Sequence, residues 1–460
     1  MAEAPKPSGA RWYGAISPKS VEFTPDELAD GYLAPAPDSQ SLLPGSSTES
    51  FVKDHAKGSN AAAVFHIMCV MAGTGILQLP YCLKQGGWLS LFWIVLAAVV
   101  SNYTGIIFIR SLYTADGRRL NSFSEVAGAA FGPHGRRVTR VFKDVSSVGT
   151  CTLFMILAGY NLNAIFTPDA ALAGVRYWII ICSVVVTVPY VIMRTIQDAV
   201  IMSIFGAATT GLMVIVVVGL GIVDLPNHPT HAYQWVDVWG FPLALSSICF
   251  SFGGNVVWPQ VEQGLRDPKA WPRVLTTATT IVCIMYLLVA IVGYAVYDSD
   301  TLSPVFLNLP QGLPLAFANV MVTIHVLMTT PIMLTSVSSE FEDELAADYP
   351  RVFGSAGLGK PGPRPKLRAA VRIPLMIITM LCAVFVPFFA DVMALLGSLI
   401  YSTLIFVFPV LIYYKLQGWH LLTGRTLLWN VVIIVIGVLC CSIGSYQAIL
   451  ALIRDFQTSL

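Results

Sequence analysis

Two stretches of this chain place glycines, a hydroxyl side chain and a following proline inside otherwise apolar runs. Gly73-Thr74-Gly75 is followed by Pro80, and Ser251-Phe252-Gly253-Gly254-Asn255 by Pro259. Glycine tolerates the backbone angles of an unwound segment, and proline can begin a helical turn but not continue one. Each stretch therefore predicts a helix that is interrupted. At such a break the N–H groups that open the second half attract a carboxylate. The carbonyls freed from the first half, with the hydroxyls of Thr74 and Ser251, accept from an ammonium group. A zwitterion fits there without a charged side chain, and no mid-span carboxylate suits a strongly cationic ligand. The candidate binding residues are Gly73, Thr74, Gly75, Ser251, Gly253, Gly254 and Asn255. Packing through small residues explains a single stretch of this kind equally well; two at corresponding places in the chain point to a shared function.

Two histidines could carry protons. His66 lies about two turns before Gly73, and His325 stands midway along an apolar run near Thr329, Thr330 and Pro331. Ionisable groups at that depth are costly and mark functional hypotheses. An imidazole with an unperturbed pKa of about 6.5 can load a proton in an acidic space and release it in a neutral one. A neutral histidine bonded between helices is the structural alternative for each. The other histidines are scattered, and His228-x-x-His231 has no third ligand. All nine cysteines fall within apolar runs, so neither a disulfide framework nor a zinc site is expected. No converging acid, base or nucleophile suggests an enzyme. No cofactor, metal or nucleic-acid partner is expected either.

Apolar helices must position these residues. Hydrophobic types make up 55% of the 460 residues and charged types 12%, too few charges for the surface of a soluble domain this large. The apolar residues gather in runs of about 20, the length that spans a bilayer, and in lipid such runs must be helical. A membrane barrel would show alternation instead, and none is present. The runs predict spans near 60–84, 88–113, 141–167, 175–193, 198–223, 239–264, 273–297, 313–340, 371–390, 391–414 and 427–453. The run 371–414 divides at a hinge around Pro387 to Asp391. Ser122–Phe131 reads as a short amphipathic helix or a loop, and Gly354–Pro365 as a linker.

Eleven spans with a cytoplasmic N-terminus put every Lys and Arg on the cytoplasmic side except Lys84, Arg176 and Arg454. Residues 1–58 are rich in Pro, Ser and Asp, lack the apolar core of a signal peptide and read as a disordered cytoplasmic tail. The tail contains Asp38-Ser39-Gln40-Ser41-Leu42-Leu43, the form of an acidic dileucine sorting signal. The transmembrane domain is expected over 59–455, with five-helix repeats at about 60–223 and 239–414 and an extra helix at 427–453. The two breaks fall in the opening helix of each repeat, the LeuT-type inverted-repeat pattern of secondary transporters with discontinuous helices one and six.

Longer motifs carry a family resemblance. GTGILQLPYCLKQGGW (Gly73–Trp88), NYTGIIFIRSLY (Asn102–Tyr113), SFSEVAGAAFG (Ser122–Gly132), SFGGNVVWPQVEQGLRDP (Ser251–Pro268) and VPFFADVMALLGSL (Val386–Leu399) resemble the amino acid/auxin permease family. The resemblance covers about residues 58–455 in order. It is strongest to vacuolar neutral amino acid transporters and vesicular inhibitory amino acid transporters. It implies a proton-coupled secondary transporter of neutral amino acids or similar solutes, acting at a vacuole or other acidic endomembrane compartment. The substrate and protons would be its partners, within a lipid bilayer. A plasma-membrane permease, an exporter of an amino-acid-derived metabolite and a non-transporting amino acid sensor are the alternatives. Sodium-coupled relatives carry asparagines early in helix one; Phe65-His66-Ile67-Met68-Cys69 has none, which argues against sodium coupling. Several relatives carry glutamates in helix three where this chain has Ser146 and Ala158.

Overall fold

A computed structural model describes residues 59–114, 118–192, 199–229, 233–348, 365–419 and 424–459. The tail with its dileucine motif, His231, the 193–198 connection and most of the 354–365 linker lie outside them. Among the described residues the regular structure is helical, apart from one bridge between Tyr113 and Arg119. The chain runs α1 Asn60–Met71, a 3₁₀ turn Thr74–Gln78, α2 Leu79–Gly86, α3 Ser90–Arg110, α4 Phe123–Phe166, α5 Ala171–Ile192 and α6 Ala199–Asp224. It continues with α7 Phe241–Ser251, α8 Trp258–Gln263, α9 Trp271–Tyr297, α10 Leu313–Asp348 and α11 Pro365–Phe385. Helix α12, Phe389–Leu396, passes through π-turns Gly397–Tyr401 and Thr403–Val407 into α13 Phe408–Gln417; α14 Gly424–Leu439 passes through a π-turn into α15 Ser445–Ser459.

Nine helical segments among the described residues are long and apolar enough to cross a membrane; α1 and its continuation, bent by 43°, make a tenth. The expected span 239–264 consists of two short helices, 11 and 6 residues long, with residues 252–257 between them. A count of eleven requires those two to form one interrupted crossing. Helix α11 ends at Phe385 and α12 begins at Phe389, which puts the division of 371–414 at the expected hinge. The outward faces stay apolar: Val184, Val185 and Val188 of α5 are all exposed. Lipid as solvent permits this where water would not.

The short helix after Asn121 is present, but no loop separates it from the next span. Ser122 caps it, its Oγ accepting from the Glu125 backbone N–H at 3.2 Å, while Glu125 Oε2 accepts from the Asn121 N–H at 2.8 Å. Glu125 thus reaches back past the cap to the residue before it, a variant of the capping box in which the N-cap N–H itself would be the donor. Non-helical Gly132 (φ 70°) kinks α4 just before Pro133, and the helix then runs unbroken to Phe166. The expected start at 141 marked where the segment turns apolar; the basic residues before it remain helical.

The interrupted helices lie at the centre of the packing. Helix α1 contacts α6 and α9, α2 contacts α7 and α9, and α7 contacts α12 and the first π-turn. Helix α10 packs against α4, α5 and α6.

Candidate functional site

Helix α1 stops where the sequence requires. The Ala72 N–H still donates to Met68 O at 2.8 Å, but Gly73 has ψ −123° and leaves the helical path. Pro80 then sits in the first turn of α2. Helix α7 ends at Ser251, and tight turns follow, with the Gly253 N–H donating to Phe250 O at 2.9 Å and the Val257 N–H to Gly254 O at 2.8 Å. Pro259 lies in the first turn of α8. A helix end leaves carbonyls without partners, and one side chain serves both ends here. The hydroxyl of Tyr286, fully buried on α9, lies 2.6 Å from Met71 O and 2.6 Å from Ser251 O.

The two breaks also touch. A Cβ on Gly75 would stand 2.6 Å from Ser251 Oγ and 2.8 Å from Ser251 Cα. A Cβ on Gly253 would stand 2.3 Å from the Tyr401 ring. Tyr401 in turn holds helix α4, its hydroxyl 2.8 Å from Thr150 Oγ1. Glycine at 75 and 253 is thus demanded by close approach.

A cavity of about 680 Å³ opens beside the breaks. It reaches from Thr74, Thr150, Gly253 and Tyr401 to the end of the bundle where Ser59, Asn121 and Glu340 lie. Of the candidates read from sequence, Gly73, Thr74, Gly75, Gly253, Gly254, His66 and His325 line it; Ser251 and Asn255 do not. Ser251 Oγ donates back to Ser247 O at 2.9 Å, and the Asn255 amide reaches Leu404 O at 3.4 Å. Thr74 Oγ1 is buried at the cavity wall with no partner among the described residues, and such an orphan invites a ligand.

The structure brings His66 and His325 to one helix, although 259 positions separate them in the chain. His66 Nδ1 lies 2.6 Å from Ser203 Oγ on α6. One turn along, a Cβ on Gly206 would stand 2.3 Å from His325 Cε1 and 2.4 Å from Cys69 Sγ. Both histidines line the cavity, and His325 is almost fully buried.

Lys143 and Glu340 are the only Lys, Arg, Asp or Glu residues that line the cavity among the described residues. They pair with each other near the mouth, and Arg140 Nε joins Glu340 at 3.0 Å. Beside them Glu262, fully buried, binds Arg119 at 2.5 and 3.1 Å and accepts from the Tyr113 hydroxyl. Burial and the bond to Glu262 push the Tyr113 phenol above its usual range. Arg119 also donates to Pro259 O at 2.7 Å, which ties the loop before α4 to α8.

Sequence reasoning passed over Tyr286, Tyr401 and the Lys143–Glu340 pair. Tyr286 and Tyr401 are aromatic residues in apolar runs, and nothing local marks what their hydroxyls meet. Lys143 and Glu340 carried a signal, since opposite charges at the same end of neighbouring spans can pair.

The family profile described as transmembrane amino acid transporter protein matches residues 56–450. The amino acid transporter AVT1E of Arabidopsis thaliana is 26% identical over 398 residues, 84% of this chain and 72% of the relative. The vesicular inhibitory amino acid transporter of Rattus norvegicus is 27% identical over 407 residues, 86% of this chain and 77% of the relative. Among solved structures, a Na⁺-coupled sialic acid symporter in a substrate-bound outward-open state aligns with TM-score 0.51 at 15% identity, covering 88% of this chain and 92% of its own. A nucleobase-cation-symport-1 family transporter in a closed conformation aligns with TM-score 0.52 at 13% identity, covering 86% and 93%. At these identities the two structures speak to the fold alone.

Proposed function

Starting from the chain's membership of the transmembrane amino acid transporter protein family, we propose that it carries neutral amino acids, coupled to protons, across the membrane of an acidic compartment such as a vacuole. The observation that supports a neutral substrate most directly is the inner end of the cavity. Around Thr74, Thr150, Gly253 and Tyr401 it offers backbone, hydroxyls and an aromatic ring, with no carboxylate, lysine or arginine among the described residues. A zwitterion brings its own balanced charges to such a place, whereas a net charge would be buried unpaired.

Proton coupling would fall to His66 and His325, which both line the substrate path. The charge asymmetry of the sequence supports a cytoplasmic cavity mouth, and the vacuolar and vesicular relatives favour an endomembrane location.

Uptake into proteoliposomes tests the reading. Neutral radiolabelled amino acids should accumulate when a pH gradient is imposed, and acidic and basic ones should not. His66→Gln should abolish the gradient-driven component yet leave exchange at equal pH. Undiminished gradient-driven uptake in both His66→Gln and His325→Gln would refute the coupling role.

A further inference from the structure

Two helices line the path from the mouth to the breaks with residues at helical spacing. On α4 these are Lys143, Ser147, Thr150 and Phe154; on α10 they are Glu340, Ser336, Met333 and Thr329. The charged pair tops both rows, and hydroxyls lie below it. Lys143 and Thr150 are seven residues apart, so about 10 Å of helix separates the mouth from the level of Tyr401 and Gly253. The ammonium nitrogen and the carboxylate carbon of an α-amino acid are bonded to one carbon. Such a head group cannot occupy both levels at once.

Each member of the pair has a second partner. Glu340 Oε2 keeps Arg140 Nε at 3.0 Å, and Lys143 Nζ keeps Asp144 Oδ1 at 3.6 Å. The Lys143–Glu340 contact can therefore open without leaving either charge alone. We propose that this pair is a separate reception site for the zwitterionic head group of an α-amino acid. The ammonium meets Glu340 Oε1 and the carboxylate meets Lys143 Nζ, before the solute moves on to the breaks. The site rests on the proposed transport of neutral amino acids and adds a first station about two helical turns nearer the mouth.

The test is the concentration dependence of transport measured separately from the mouth face and from the far face of reconstituted protein. The probe is whichever of L-alanine, L-glutamine, L-leucine and glycine the unaltered protein carries fastest. Lys143→Gln and Glu340→Gln should each raise the mouth-face half-saturation about 10-fold, the weight of a hydrogen bond to a charged group. The far-face value should stay the same. Glu344→Gln removes a partner of Arg140 that does not line the cavity, and should move neither value. Lys143→Arg keeps a cation that can bond a carboxylate and should hold the mouth-face value within about twofold. It also keeps the test usable if the glutamine variants fail to reach the membrane. An equal rise on both faces, or none, overturns the proposal, as does a large rise in Lys143→Arg. If the unaltered protein carries none of the four probes, the neutral-substrate reading fails first and the reception site falls with it.

Discussion

The two ends of the helical bundle are held by different forces. At the end away from the cavity the seal is backbone and aromatic. The Trp88 and Leu89 N–H groups donate to Gln234 O and Trp235 O, both at 3.1 Å, and Lys84 Nζ reaches Thr301 O at 3.0 Å. Trp88 packs edge-on against Tyr294 at 5.2 Å and Tyr233 at 5.7 Å. At the cavity end the ties are ionic: Arg119 to Glu262 at 2.5 Å, Arg140 to Glu340 at 3.0 Å and Arg372 to Glu342 at 2.7 Å. Backbone and ring contacts need one exact geometry, while ion pairs can exchange partners and are screened by salt. An end built from exchangeable contacts is suited to stand open in one state and closed in another.

The largest expected effect lies between the two ends. Valine at Gly75 or Gly253 drives a branched side chain into Ser251 or the Tyr401 ring, so neither end can close on the breaks. Transport should fall to background while flotation assays still find the protein in the membrane. Wild-type kinetics in both variants would show that the breaks only pack. Next comes Glu262→Gln at the ionic end. Breaking a buried pair costs about 3 kcal/mol, nearer 2 here because Arg119 is 20% exposed. The melting temperature in detergent should drop by several degrees, and high salt should leave most of that difference in place because the pair is buried. An unchanged melting temperature in Glu262→Gln would count against an ionic tie at this end. The smallest effect belongs to Trp88→Ala, a partly buried residue that loses two ring contacts worth about 0.5 kcal/mol each. With Cys69 as the sole cysteine, a membrane-impermeant maleimide should label the parent from the mouth face only and Trp88→Ala from both. Labelling of the parent from the far face would contradict the aromatic seal.

Much of this architecture was legible because bilayer solvation is a crude and strong rule. The long apolar runs became helices, and Gly73 with Pro80 marked an actual break. The S-x-x-E cap at Ser122 and the hinge after Pro387 were readable for similar local reasons. What stayed hidden was tertiary. Arg119 reads as one more cytoplasmic positive charge, and only folding shows that it serves Glu262, 143 positions away. The break in span 239–264 is, by contrast, legible from Gly253, Gly254 and Pro259, although Phe252, Val256 and Val257 keep that span apolar throughout. Ser251 reads as a ligand hydroxyl because it sits at a helix end. Whether that hydroxyl faces a cavity or its own preceding turn depends on the rotation of α7, which the sequence does not encode locally.

The Tyr286 hydroxyl has one proton and two acceptors, Met71 O and Ser251 O. This arrangement acts as a mechanical linkage. If one interrupted helix shifted while the other stayed, the proton would follow one carbonyl and strand the other in a buried place, at about 1–3 kcal/mol. A joint shift keeps both served. Independent movement of either break, 178 residues apart in the chain, thus carries a penalty that joint movement avoids.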